Sequence, residues 1–192
     1  MLTFKQYLIE AKEGKNLHLE HLEDEVLNNG INGTRGAINF LQSLRDMLAG
    51  NAKKSVNVTV KWDGAPAVFA GINPENGKFF VGTKGVFNKN PKVNYTNADI
   101  DANHSSGGLN EKLKVALKYL PKLGIKNVLH GDMLFTQDDL STETIDGISY
   151  TTFQPNTITY AIPKESADPI KKSKMGIVWH TTYSGETLQS MR

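Results

Sequence analysis

Residues 55–64 read Ser-Val-Asn-Val-Thr-Val-Lys-Trp-Asp-Gly, and the hydrophobic period changes from helical to strand-like spacing at the start of this segment. Valines alternate with polar residues from Val56 to Val60, which is typical of a half-buried strand. The predicted strand ends at Lys61, and Asp63 with Gly64 forms a turn. Because residues two apart point to the same side of a strand, the lysine and the aspartate are expected on one side of the sheet.

Apolar residues before this stretch recur at three- and four-residue spacing, which indicates helices. The breaker at residues 28–30, Asn-Asn-Gly, separates two short predicted helices from a third, which runs from Thr34 to Gly50. The chain is therefore expected to consist of an N-terminal helical segment, residues 1–54, and a core, residues 55–192.

Downstream, turn residues and alternating hydrophobic residues predict mostly strands. Two of these strands, Ala67–Ala70 and Lys78–Gly82, form a hairpin across the turn at residues 73–77. The polar stretch 88–108 predicts a long surface loop. Beyond it, the sequence predicts one helix and four strands, over Leu109–Leu120, Asn127–Phe135, Tyr150–Phe153, Thr157–Ile162 and Gly176–Thr182. Helices followed by mostly strands indicate an α+β fold with antiparallel-rich sheets.

The composition is that of an ordinary globular protein, because 39% of the 192 residues are hydrophobic and 22% are charged. The longest apolar runs, such as Ala65–Gly71, are far shorter than the roughly 20 residues that cross a bilayer, so no membrane partner is expected. The N-terminus lacks the apolar core of a signal peptide, which predicts a cytoplasmic protein. The absence of cysteine excludes disulfides and cysteine nucleophiles, and the net charge of +2 neither demands nor forbids a nucleic-acid partner.

Lys61 is the strongest candidate for a catalytic residue. A lysine with the usual pKa of about 10.4 is protonated near neutral pH, so a nucleophilic lysine requires desolvation or a cationic neighbour. Lys84, which follows the second strand of the hairpin, is one candidate for that neighbour. The alternative is an ordinary surface lysine followed by a Trp-Asp-Gly turn.

Five segments in series resemble a known family. The tetrapeptide Lys-Trp-Asp-Gly at residues 61–64 resembles the Lys-x-Asp-Gly motif of covalent nucleotidyltransferases, the superfamily of ATP-dependent DNA ligases, RNA ligases and mRNA capping enzymes. In that family four further motifs follow in order: a basic residue before glycine on a hairpin, a strand ending in Gly-Glu, a strand with an adenine-stacking aromatic, and a Glu-Gly-Ile/Val-Val strand. The similar segments here are Thr83–Gly85, Leu129–Leu134, Thr157–Ile162 and Met175–Val178.

The resemblance covers residues 55–182, about two thirds of the chain. The N-terminal part, together with Trp179–Tyr183, is similar to uncharacterised ligase-like proteins of tailed phages, which would place the protein in the host cytoplasm. There is no Gly-x-x-x-x-Gly-Lys loop, so an ATP site here would not be a P-loop.

The resemblance implies that Lys61 attacks the α-phosphate of ATP, stores AMP as a phosphoramide and passes it to the 5′-phosphate end of a nucleic acid. It implies a magnesium ion, with Asp132 as its ligand. The residues that it implies for nucleotide binding are Asp63, Gly64, Lys84, Asp132, Tyr160 and Lys174. DNA and RNA are not distinguished by these motifs, ATP is the family default over GTP, and the sequence does not indicate an oligomeric state.

Two departures from the family pattern leave a second interpretation open. Met175 occupies the place of the metal-binding carboxylate in the Glu-Gly-Ile/Val-Val motif, and a thioether does not hold magnesium. The last motif of the family, a Lys-x-Lys strand, is not recognisable before Arg192, so the core is expected to be incomplete at its C-terminus. These departures favour a catalytically inactive ligase-like module that binds nucleotide or nucleic-acid ends. A third interpretation is an unrelated α+β protein with a coincidental Lys-x-Asp-Gly.

Two histidines near the motif-like segments have open interpretations. His130, next to Gly131 and Asp132, is either a phosphate or supporting contact or a hydrogen-bonded strand histidine. His180 is equally undecided.

Overall fold

The structure, a computed structural model, describes residues 21–51 and 60–191. The chain divides into two units, Met1–Lys61 and Trp62–Arg192. The predicted strand at residues 55–59 and the predicted boundary after residue 54 lie outside the described residues, as does the first predicted helix.

In the first unit, helix α1 spans Leu22–Leu48. Its regular geometry is interrupted at Gly30, which has a positive φ of 55°, so the predicted break at this glycine is confirmed. The chain bends sharply there and brings Gly33 close to Glu25. A Cβ atom on Gly33 would collide with the backbone carbonyl of Glu25. The predicted helix start at Thr34 is wrong: the helix resumes directly after Gly30, and the Thr34 hydroxyl donates a hydrogen bond to the Gly30 carbonyl (2.9 Å) inside it.

Within residues 62–191, the structure has seven strands and three α-helices. The strands are β1 (Ala67–Ile72), β2 (Phe79–Gly82), β3 (Val128–Thr136), β4 (Ser141–Ile145), β5 (Ile148–Phe153), β6 (Tyr160–Pro163) and β7 (Met175–Tyr183). The helices are α2 (Asn97–Asn103), α3 (Gly108–Tyr119) and α4 (Asp168–Lys172), and short 3-10 helices lie at Lys84–Phe87, Leu120–Leu123, Gln137–Asp139 and Lys164–Ser166. None of the helices within residues 21–51 and 60–191 is both long and apolar enough to cross a membrane.

The strands form two antiparallel sheets, ordered β2-β1-β3-β7 and β4-β5-β6. The predicted α+β fold with antiparallel sheets and an N-terminal helix is therefore confirmed. In the four-stranded sheet Ala67 pairs with Asp132, and Thr136 pairs with Met175. One end of this sheet, here called the Thr136 end, is formed by the last residues of β2 and β3 and the first residues of β1 and β7.

The main core lies between one face of the four-stranded sheet and helices α2 and α3. Fully buried side chains of the strands, such as Val68 and Met133, pack there with Ile100 of α2 and Leu113 of α3. Because successive side chains alternate between faces, Phe69, His130 and Asp132 point to the opposite face. A smaller core of Leu134, Phe135 and Phe153 joins that face to the three-stranded sheet.

Asp139 links β3 to helix α3 and should make the unit sensitive to acid. Its carboxylate accepts hydrogen bonds from the Thr136 N–H and hydroxyl (2.7 and 2.8 Å) and lies 3.0 Å from Lys112 Nζ. Burial raises the pKa of Asp139, but the Thr136 hydrogen bonds and Lys112 outweigh it, so the pKa falls below its usual 3.8.

A carboxyl group whose pKa is lower in the folded than in the unfolded protein contributes to stability at pH values above its usual pKa. This contribution is lost as the pH falls through the pKa of the folded state. We expect Asp139→Ala to lower the free energy of unfolding at pH 7 by about 1–3 kcal/mol, since charged hydrogen bonds are lost. The difference from the wild type should shrink below about pH 4. Urea unfolding at pH 7 and at pH 3 measures both effects. The exposed neighbour Asp138, changed to alanine, is the control, and an equal loss in both variants would contradict the assignment.

Candidate active site

The Asp63-Gly64 turn lies directly against strand β3. The Ala65 N–H donates to the Met133 carbonyl (2.9 Å), and the Met133 N–H donates to the Pro66 carbonyl (3.0 Å), so the chain after the turn continues the pairing of β1 with β3. A Cβ atom on Gly64 would lie 2.7 Å from the Met133 carbonyl oxygen and 2.9 Å from Asp132 Cβ. Glycine is required because the turn approaches Asp132 this closely.

Tyr160, the first residue of β6, holds Asp63 from the other side. The Asp63 N–H donates to the Tyr160 hydroxyl, which in turn donates to the Asp63 carbonyl (both 2.9 Å). The side chain of Asn156 donates to the Asp63 carboxylate (3.3 Å). The Tyr160 ring lies 5.2 Å from the rings of Trp62 and Phe153. Residues 62–64 are therefore fixed between the two sheets, and 37% of the Trp62 surface stays exposed.

His130, Asp132 and His180 form a cluster on the face that the Asp63-Gly64 turn approaches. One potential ligand atom from each residue lies within 4.8 Å of the other two. The Nε2 atom of His180 is 3.9 Å from Asp132 Oδ2, and the two imidazole rings meet edge to face with centroids 4.3 Å apart. His130 is 1% exposed, whereas Asp132 and His180 are half-buried. Two nitrogen donors and one oxygen donor thus converge.

Local strand geometry explains why these three residues meet. His130 and Asp132 are two apart on β3 and therefore share a face. On β7, Thr181 pairs with His130 and Trp179 pairs with Gly131, so His180 is the extra residue of a β-bulge. A bulge redirects a side chain out of the regular alternation. Gly131 is required at this point, because a Cβ atom there would lie 2.3 Å from the Val178 carbonyl oxygen.

The lysines predicted from the sequence occupy different positions. Lys84 is exposed and begins the 3-10 helix after β2, at the Thr136 end of the four-stranded sheet. Lys174 is exposed at the same end, directly before β7, and its Nζ donates to the Gln137 side chain (2.9 Å). Lys61 is exposed and is the last residue of the first unit, one position before Trp62. In the second unit the structure thus brings Asp63, Gly64, Asp132 and Tyr160 together and puts Lys84 and Lys174 at one end of the sheet.

Met175, which stands where the family has a carboxylate, is half-buried and packs against the main core. It pairs with Thr136 at the end of β3. On the same strand, His180 contributes a donor five residues later. The potential ligands beside Asp132 are therefore the imidazoles of His130 and His180, whereas magnesium prefers oxygen ligands. Magnesium at Asp132 stays a prediction from the resemblance, and the donor set around that carboxylate does not fit a dedicated magnesium site.

The sequence alone did not indicate that the three residues of the cluster meet. The spacing of His130 and Asp132 on a predicted strand was a readable sign of two donors on one face. The contribution of His180 was not readable, since it depends on the pairing of β3 with β7 and on the bulge.

The fold and the site define an α+β protein in which an Asp-Gly turn and a His-Asp-His cluster meet on one face of an antiparallel sheet. The model of DUF6267, a family of unknown function, matches residues 16–192, and the chain belongs to this family. No curated protein and no solved structure matches the chain.

Proposed function

We propose that this chain is an ATP-dependent, polynucleotide ligase-like nucleotidyltransferase that forms a covalent lysyl-AMP on Lys61 and passes AMP to a nucleic-acid 5′-phosphate. One observation carries the proposal: the Asp63-Gly64 turn is held between Asp132 on β3 and Tyr160 on β6. These three segments are far apart in the sequence. The resemblance assigns all three to one nucleotide site from their motifs alone, without information on their positions in space.

In the proposed first step the neutral Nζ of Lys61 attacks the α-phosphorus of ATP. A nitrogen–phosphorus bond forms, the bond from the α-phosphorus to the α,β-bridging oxygen breaks, and pyrophosphate leaves with that oxygen, while the amine proton passes to solvent. In the second step an oxygen of the 5′-phosphate attacks the same phosphorus, the nitrogen–phosphorus bond breaks, and Lys61 regains a proton. AMP is then joined to the nucleic-acid end through a new pyrophosphate bond. Covalent catalysis of this kind divides one difficult transfer into two easier ones.

The residues around the turn suit the binding of a nucleotide. Trp62 offers exposed ring surface for stacking of the base, and its contact with Tyr160 fixes its position. The Asp63 and Asp132 carboxylates are acceptors for ribose hydroxyls. Lys84 and Lys174 are cations at the Thr136 end of the sheet, where they would neutralise phosphate charge. The proposed reaction takes place in the cytoplasm, which is the host cytoplasm if a phage encodes the chain.

A second candidate function is a ligase-like module that binds nucleotide or nucleic-acid ends without covalent chemistry. The packing of Met175 against the core, in place of a carboxylate, favours it. The two candidates differ in one property, because a binding module releases ATP unchanged.

Transfer of label from ATP tests the proposal. The full chain is incubated with α-phosphate-labelled ATP and divalent cations, and retention of label on the denatured protein is measured. We expect retained label, and we expect its release on addition of 5′-phosphorylated DNA or RNA strands but not of matched 5′-hydroxyl strands. A folded protein that binds ATP without retaining label would favour the binding module instead.

A further inference from the structure

We propose that His130, Asp132 and His180 form a binding site for a divalent transition-metal ion, of the class of Zn²⁺ or Co²⁺. Two imidazoles and one carboxylate are the donors that such ions use in sites with three protein ligands. The site does not depend on the proposed function, because the three residues converge whether or not Lys61 is a nucleophile.

The scaffold positions two of the ligands before any ion binds. His130 and Asp132 project from one face of β3, which is paired on both sides, with β1 and with β7. The His130 ring is also stacked on Phe69, with ring centroids 4.1 Å apart and the planes inclined by only 11°. A ligand held on a rigid strand and packed on an aromatic ring loses little freedom on binding.

The distances between the donors are close to those of a bound ion. Two ligands at about 2.1 Å from a tetrahedral ion lie about 3.4 Å apart. His180 Nε2 and Asp132 Oδ2 are separated by 3.9 Å, and all three donors lie within 4.8 Å of one another. Closing the remaining difference would require movement of the half-buried Asp132 and His180 side chains.

Thr181 orients the third ligand. A hydrogen bond of 2.8 Å joins His180 Nδ1 to the Thr181 hydroxyl. In the tautomer in which Nδ1 donates this bond, the lone pair is on Nε2, the nitrogen that faces Asp132. Metal-binding histidines commonly use their second nitrogen in this way, and the partner fixes both the tautomer and the ring orientation. Thr181 is therefore a positioning residue for the site.

Three protein ligands leave at least one coordination position for water or for an oxygen of a bound molecule, as in catalytic rather than structural metal sites. The Asp63-Gly64 turn lies beside Asp132, so a molecule held by that turn would be next to the ion. If the proposed function is correct, an oxygen of the nucleotide would take the open position.

Metal binding is measured on the full, tag-free chain after treatment with a chelator and desalting, without nucleotide. Zn²⁺, Co²⁺ and Mg²⁺ are added separately, and the bound ion is quantified by mass spectrometry of the metal and by titration calorimetry. We expect one equivalent of Zn²⁺ or Co²⁺ to bind, with a visible absorption spectrum of low-symmetry Co²⁺, and Mg²⁺ to bind far more weakly. If the wild-type protein binds the ion but does not transfer AMP from ATP, the proposed function is refuted and the proposed metal site is not.

The variants His180→Gln and Asp132→Asn should each weaken Zn²⁺ binding by at least about 100-fold, and Thr181→Val by about 10- to 100-fold. Circular dichroism and thermal unfolding of the metal-free variants check that each is folded. His21→Gln, at an exposed histidine of the first unit, is the matched control and should bind as the wild type does. The proposal is overturned if the wild type binds neither ion, or if His180→Gln and Asp132→Asn bind Zn²⁺ as tightly as the wild type.

Discussion

Changing Lys61 to alanine is expected to reduce the formation of protein-bound AMP below detection while leaving the fold intact. The side chain is exposed, so its removal creates no cavity and should change the free energy of unfolding by less than about 0.5 kcal/mol. The proposed chemistry requires a nitrogen that can lose a proton and form a bond to phosphorus. Alanine has none, and the measurement is retention of labelled AMP on the denatured protein.

Two further variants separate the nucleophile from its charge. Lys61→Arg keeps the positive charge but carries a guanidinium that is not deprotonated in proteins, so it should fail as completely as alanine. Lys126→Ala removes an exposed lysine at the opposite end of the four-stranded sheet, just before β3, and should label as the wild type does. If the Lys61→Ala variant retains labelled AMP, another residue is the nucleophile.

Changing Gly64 to alanine is expected to slow the formation of protein-bound AMP by about 100-fold, which is the effect of displacing a reacting group by about 1 Å. The added methyl would lie 2.7 Å from the Met133 carbonyl and 2.9 Å from Asp132 Cβ, and both belong to a strand that is paired on both sides. The turn, rather than β3, must therefore move, and Asp63 moves with it. Single-turnover labelling with ATP measures the rate.

Gly108→Ala is the matched control for this change, because nothing lies within 4 Å of the added methyl and the residue is in helix α3. It should leave the labelling rate unchanged. If Gly64→Ala labels at the wild-type rate, the close approach of the turn to Asp132 has no role in the reaction.

Much of the second unit was predictable because its signals are local. The alternation of apolar residues and the turn at residues 73–77 predicted the hairpin of β1 and β2. The apolar spacing before Pro121 predicted α3, and β3, β5 and β7 were also predicted close to their observed bounds. Strand β6 begins at Tyr160, later than the predicted Thr157.

Besides the short helix α4, two elements were not predicted although their signals were present. Residues 88–108 were expected to form a loop, yet they include α2, whose start is a capping box of Thr96 and Asp99. The exposed strand β4 has no apolar alternation, but it joins β5 through Asp146-Gly147, both with positive φ, and Asp-Gly is a strong hairpin signal. In both segments the polar composition is typical of a loop, although a capping box or a hairpin turn was also present in the sequence.

The candidate site was less predictable than the fold because it is assembled by long-range contacts. The series of motifs selected Asp63, Gly64, Asp132 and Tyr160, which meet in the second unit. The distances between these segments are not readable from the motifs, and the His-Asp-His cluster also depends on a bulge in β7 that shifts the register by one residue.

The mass of the intact protein after incubation with ATP and a divalent cation is the most direct test of the proposed covalent function. Parallel samples contain GTP, NAD or no nucleotide, and the Lys61→Ala variant is treated in the same way. We predict that ATP adds the mass of one adenylyl group to the wild type and nothing to the variant. A folded wild-type protein whose mass is unchanged with every nucleotide would contradict the proposed covalent function.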